Sequence, residues 1–164
     1  MAKRQVFYSF HYKPDNWRAS QVRNIGVIEG NRPAPDNDWE TITKGGDTAI
    51  QKWISDQMHY RSTTILLVGS ETAGRRWINY EIEKTWKENM ALLGICIHRL
   101  KDSNGYQSIQ GSNPFDGYKI GETPLNQIVK LYNPPYTDSK DVYNYIANNI
   151  SDWVEEAIKI RAKY

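Results

Sequence analysis

The residues in this chain best suited to chemistry lie in one stretch, SETAGRRWINYEIEK, running from Ser70 to Lys84. It has the look of a helix start, yet it breaks two local rules. Arg75 and Arg76 stand in the first turn, where the helix dipole disfavours cations, and a carboxylate, Glu81, stands among three aromatic residues. At 100° per residue, Ile78, Ile82 and Trp86 form the apolar stripe, and Glu81 falls about 60° to one side of Ile78, on the border between core and solvent. The neighbouring Glu83 has Lys87 at the favourable i+4 spacing. Glu81 has only Lys84 at i+3, a surface pair worth roughly 0.3 kcal/mol. Two readings therefore stand side by side: an ordinary surface ion pair, or a carboxylate kept for chemistry at a cleft edge. For the arginines the alternatives are a phosphate-bearing ligand, which would compensate the misplaced charge, and simple exposure or an acid from another segment.

Several familiar chemistries are excluded by pattern. The chain has no G-x-x-x-x-G-K-[ST], no G-x-G-x-x-G after a strand and no G-x-S-x-G, since Ser70 sits in VGSET. A phosphoacceptor domain would need an acidic cluster after the first strand, and that strand ends in SFHY. His11 and His98 lack metal-ligand spacing, and His59 reads as helix-end or loop surface, so neither a metal nor a bound cofactor is expected. The one cysteine, Cys96, lies inside an apolar run and reads as a buried, reduced thiol. A net charge of +2 suggests no nucleic-acid footprint.

The elements that must position these residues follow from the periodicities. Four runs read as strands: RQVFYSF (Arg4 to Phe10), TTILLVG (Thr63 to Gly69), ALLGICIH (Ala91 to His98) and QIVKLY (Gln127 to Tyr132). The middle two are nearly continuous in apolar character, as strands buried on both faces are. IGVIEG (Ile25 to Gly30) offers a short extra strand. TAIQKWISDQM has helical period and a capping-box start at Thr48 and Gln51, with Ile50, Trp53, Ile54 and Met58 on one face. DVYNYIANNISDWVEEAIKI is helical near the C-terminus, and a less regular helix follows Pro14. Trp53, Trp86 and Trp153 occupy helical apolar faces and read as core. Strands alternating with helices predict a flavodoxin-like α/β three-layer sandwich with a mainly parallel sheet of four to five strands, within one domain spanning residues 1–164. In such sheets the ligand crevice forms at the carboxyl ends of the strands, which selects Ser9, Phe10, His11, Ser70 and His98 as rim residues. Two connections, 31–46 and 101–126, are long for a compact domain and rich in Gly, Pro, Asn and Asp. Mean hydropathy is −0.72, no apolar run approaches the ~18 residues of a membrane span, and no signal-peptide pattern is visible. A cytoplasmic location without membrane attachment is the expectation.

These residues resemble a known family. VFYSFHY is similar to the first box of TIR domains, and Ser70 to Ile82 is similar to their S…W-x-x-x-E-[LI] pattern. VRN, LLGICIHRLKD and GSNPFDGY extend the likeness, over most of residues 1–120, to the TIR-like ThsB family of bacterial Thoeris anti-phage systems. The resemblance implies an enzyme of the NAD glycohydrolase or ADP-ribosyl cyclase type, with NAD as substrate rather than cofactor and Glu81 as the catalytic group. A fixed carboxylate in a poorly hydrated cleft would stabilise the oxocarbenium-like state formed as nicotinamide leaves, or hold the ribose hydroxyls. It further implies that Ser9, Phe10 and His11 line the cleft, joined by Trp39 and Asp47 near the end of the first long loop and by Ser70. Trp77 and Tyr80 would wall the site, and Arg76 would meet the pyrophosphate. The implied product is a cyclic or modified ADP-ribose second messenger that activates a separate effector protein, with self-assembly or a phage-derived activator as further partners. A non-catalytic scaffold acting by self-association and a plain NAD glycohydrolase are the alternatives. The second TIR box reads GNRPAPDNDWE here and departs from the family pattern, so the adenine side of the site is unassigned.

Overall fold

Alternating strands and helices form one wound sheet in the computed structural model, which describes residues 3–31 and 46–164. In chain order the elements are β1 (Gln5–Phe10), α1 (Tyr12–Arg23), β2 (Glu29–Gly30), α2 (Gly46–Met58), β3 (Thr63–Val68), α3 (Arg76–Lys87) and β4 (Ala91–Cys96). There follow β5 (Lys119–Ile120), β6 (Thr123–Pro124), α4 (Leu125–Ile128), β7 (Leu131–Tyr132) and α5 (Ser139–Arg161). The main sheet has the order β2-β1-β3-β4-β7, and every neighbouring pair is parallel. β5 and β6 make a small separate antiparallel pair. This is the flavodoxin-like strand order, whose direction of winding reverses between β1 and β3, the place where folds of this kind bind ligands outside the carboxyl ends of the strands.

Strand periodicity divides the core into two layers. Val6, Tyr8 and Phe10 point to one face, where they pack with Ala19 and Val22 of α1 and with Val142, Ile146 and Ile150 of α5. Phe7 points the other way, against Ile50, Ile54 and Met58 of α2 and Trp77 of α3. On that same face Leu66, Val68 and Leu92 pack with Ile78, Ile82 and Phe115. Every residue of β3 and β4 is buried, in keeping with two mainly apolar strands covered on both sides. Cys96 is a buried free thiol, its pKa pushed up to about 11 by burial.

The boundaries differ from the sequence reading in instructive ways. α1 begins at Tyr12, before Pro14, because a proline in the first turn gives up no intrahelical hydrogen bond. α2 already includes Gly46, so Thr48 lies inside the helix and is not its N-cap. α3 starts at Arg76 with Arg75 as N-cap, and Ser70 to Gly74 form a turn. QIVKLY divides: Gln127 and Ile128 end the short α4, and only Leu131 and Tyr132 pair with β4. α5 is capped as a long helix should be, with the Asp138 carboxylate accepting from the Lys140 and Asp141 amides at 2.8 and 3.4 Å. The second long connection is ordered by its own side chains. Asp102 Oδ1 accepts from the Asn104 and Tyr106 amides, both at 2.9 Å, and Phe115 is wholly buried beneath it. No helix among the described residues is long and apolar enough to cross a membrane.

Candidate active site

The reversal point between β1 and β3 leads directly into the turn that launches α3. The Gly69 amide donates to Thr72 Oγ1 at 2.8 Å, tightening the turn, and Gly74 takes a left-handed φ of +82° before the helix begins. Once formed, α3 is fixed to the sheet beside Glu81: Thr85 Oγ1 donates to the Glu81 carbonyl at 2.6 Å and meets Thr64 Oγ1 of β3 at 2.7 Å.

Glu81 is buried, with only 4% of its surface exposed. The helical wheel puts it at the border between core and solvent, and the structure corrects that. α3 packs against β1 as well as β3 and β4, so the flank that carries Glu81 is turned to the sheet, and Trp77 beside it packs with the apolar residues of α2. Burial drives the Glu81 pKa up from 4.5 to about 8, because a carboxylate loses its hydration there. Ser9 lies opposite and pulls weakly the other way, although its hydroxyl completes no hydrogen bond of ordinary geometry. Glu81 Oε2 likewise has no partner among the described residues. Native proteins rarely leave buried polar atoms unsatisfied, and this pair lies near the reversal point at which folds of this kind bind ligands. The surface pair with Lys84 is absent among the described residues, since Lys84 bonds Glu88 at 3.3 Å.

The other candidates separate by strand face and by layer. Ser9 is in register with Leu66 and shares the α3 face of the sheet with Phe7. Phe10 points to the opposite face and is a core residue of the α1 and α5 layer, so strand alternation removes it from the Glu81 side. His11 and His98 are buried at the carboxyl ends of β1 and β4, and burial together with the nearby Arg99 and Arg18 charges lowers the His98 pKa. Trp77 is a core residue that meets Tyr80 edge-on at 5.3 Å between ring centroids; both pack against the α2 and α3 cluster behind Glu81. Arg76 forms an exposed ion pair with Asp47 in the first turn of α2, and its guanidinium lies 4.8 Å over the Trp77 ring. The acid expected from another segment is thus Asp47, and the pair ties α2 to α3. Ser70 is half-buried in the turn. Trp39 lies outside the described residues.

Sequence reasoning missed three further residues around this turn. Asp15 on α1 is 1% exposed and pairs with Arg18 at 3.0 Å, while its Oδ2 lies against Gly69. Gly111 of the second long connection rests on the turn from the other side, where an added Cβ would come within 2.3 Å of the Gly69 carbonyl oxygen and 2.8 Å of that of Ser70. An acid and a base at i and i+3 in α1 were visible as a helical pair, but nothing local marked them as buried. Among the described residues no three His, Cys, Asp or Glu side chains gather as a metal site.

The helix that follows β3 thus carries a buried glutamate whose Oε2 has no partner among the described residues and whose carboxyl lies near Ser9 of β1. Residues 7–102 match the family model described as Thoeris protein ThsB, TIR-like domain. The chain belongs to the TIR-like ThsB family. The matched region runs from β1 through β4 and contains both Ser9 and Glu81. A ThsB relative from Bacillus cereus (strain MSX-D12), named "Putative cyclic ADP-D-ribose synthase ThsB1", is 35% identical over 159 residues, covering 92% of this chain and 82% of its own length.

Proposed function

We propose that this protein cleaves NAD and converts it to a cyclic ADP-ribose-type second messenger that activates a separate effector protein in anti-phage defence. The observation that carries the reading is the buried carboxyl of Glu81, near Ser9 at the reversal point of the sheet, with its Oε2 left without a partner among the described residues. Membership of the ThsB family and the name of the Bacillus cereus relative support the choice of NAD and of a cyclic product.

In the reaction the bond between ribose C1′ and the nicotinamide nitrogen breaks, and its electron pair leaves with nicotinamide. The positive charge left on the ribose is what a fixed anion in a dry cleft stabilises most strongly, since the dielectric screening of water is absent. Glu81 supplies that anion, with the proton it holds in the free protein released as the cationic nicotinamide ring enters beside it. A nitrogen of the adenine of the same molecule then attacks C1′, closing the ring and giving the cyclic product and nicotinamide. Ser9 orients the carboxylate from β1. Trp77 and Tyr80 form the apolar wall that keeps water from it. The exposed Arg76 exchanges its Asp47 partner for the pyrophosphate, and Ser70 and His11 complete the rim.

The test is chromatography of NAD incubated with purified protein, alone and in lysate from infected cells, beside Glu81→Gln. The wild type should release nicotinamide and a cyclic nucleotide product, and the variant should lose on the order of 10²–10³ in rate. Equal behaviour of the two proteins under every condition refutes the assignment.

A further inference from the structure

Arg18 is a guanidinium buried between α1 and the loop that leaves β4, and three of its five N–H donors are spent on backbone. Nε donates to the Leu100 carbonyl at 2.8 Å, Nη2 to the Tyr106 carbonyl at 2.8 Å, and Nη1 to the Pro14 carbonyl at 3.1 Å and to Asp15 Oδ1 at 3.0 Å. One side chain thus crosses from α1 to two points, Leu100 and Tyr106, of the loop that leaves β4. Asp102, whose carboxylate folds that loop, lies 3.8 Å from Nη2. A lysine has one nitrogen and no planar fork, so it could not span these acceptors.

The turn from β3 into α3 is held between the two things Arg18 fixes. On one side is Asp15, whose carboxylate occupies the place a Gly69 side chain would take: a Cβ there would lie 2.1 Å from Oδ2. On the other side is Gly111, farther along the same loop, seated on the Gly69 and Ser70 carbonyls. Glycine is required at both contacts because backbone and carboxylate approach too closely for a Cβ. The geometry points to Arg18, acting through Asp15 and the loop 100–111, as a positioning residue that sets the β3–α3 turn and therefore the placement of Glu81. Arg18 need touch no substrate to do this.

The inference rests on the proposed NAD reaction for its kinetic readout only. Arg18→Lys and, separately, Gly111→Ala should lower kcat for nicotinamide release by about 10- to 100-fold with KM changed by less than about threefold, the cost expected when a catalytic group is displaced by an ångström or so. Combining them should cost little more than either alone, since both act through one turn. Hydrogen exchange on ligand-free protein should show residues 69–75 and 100–111 losing protection while α5 and β4 keep theirs. Gly111→Ala leaves Arg18 intact, so it remains decisive if Arg18→Lys does not fold. Unchanged kcat in both folded variants, or exchange that rises uniformly across the domain, overturns the inference. If the wild type releases no nicotinamide under any condition, the proposed reaction fails, and the exchange pattern alone decides whether Arg18 holds the turn.

Discussion

Replacing Glu81 with glutamine should stabilise the ligand-free protein, and by more as the pH rises. The carboxyl pKa is about 8 in the folded state against 4.5 for a solvated glutamate, because burial penalises the anion and Ser9 offsets little of that. Below pH 4.5 folded and unfolded chains both hold the proton and Glu81 contributes no pH dependence. Between pH 4.5 and 8 the unfolded chain releases its proton while the native state keeps it, so native stability falls as pH rises and levels off above 8. At ~1.4 kcal/mol per pH unit the full displacement is worth roughly 5 kcal/mol. For a domain of this size each kcal/mol moves Tm by about 2–4 °C, so the gap between variant and wild type should widen by roughly 10–20 °C across that range. Glutamine is near in shape and does not titrate, so other ionisations cancel in the difference. Thermal unfolding of both proteins without NAD, followed by circular dichroism from pH 4.5 to 9, measures it. A gap that is constant with pH refutes the buried, proton-holding glutamate. A widening gap in a variant without activity would mark Glu81 as a group maintained for function at the expense of stability.

Two further outcomes follow from the same structure. For nicotinamide release, kcat/KM should rise about tenfold per pH unit below 8 and flatten above it, since this quantity reports free-enzyme ionisations; a flat profile from pH 6 to 8 would show that an ionised Glu81 is not the working form. Phe115→Ala should cost about 3–5 kcal/mol, because the ring is fully buried between Gly94 and the α3 layer and anchors the second long connection; a loss below about 1 kcal/mol in urea unfolding would mean that the loop does not depend on it.

The periodic parts of the chain carried their own structure. TTILLVG and ALLGICIH are nearly continuous in apolar character, as strands covered on both faces are. The three-layer parallel fold followed from alternation of strands with helices, and the rim at Ser9, His11, Ser70 and His98 followed from the fold. What was misread was local. Helix starts moved because Pro14 fits within a first turn and because Gly74 delays α3. QIVKLY was taken as one strand, although α4 runs to Ile128 and only two residues of the run pair with β4.

By itself, the sequence determined the elements, their layering and the singular position of Glu81, since each depends on neighbours within a few residues along the chain. Tertiary structure alone decided how deeply Glu81 is buried, because its helix packs on β1, β3 and β4, which lie far from it in the chain or are reached only through the fold. The same is true of the division of SFH between two faces, the capture of Arg76 by Asp47, and the seating of Gly69 between Asp15 and Gly111. Each of these is an encounter between segments distant in the chain, and the physical quantities that matter in it, lost hydration and van der Waals contact, exist only once those segments have met.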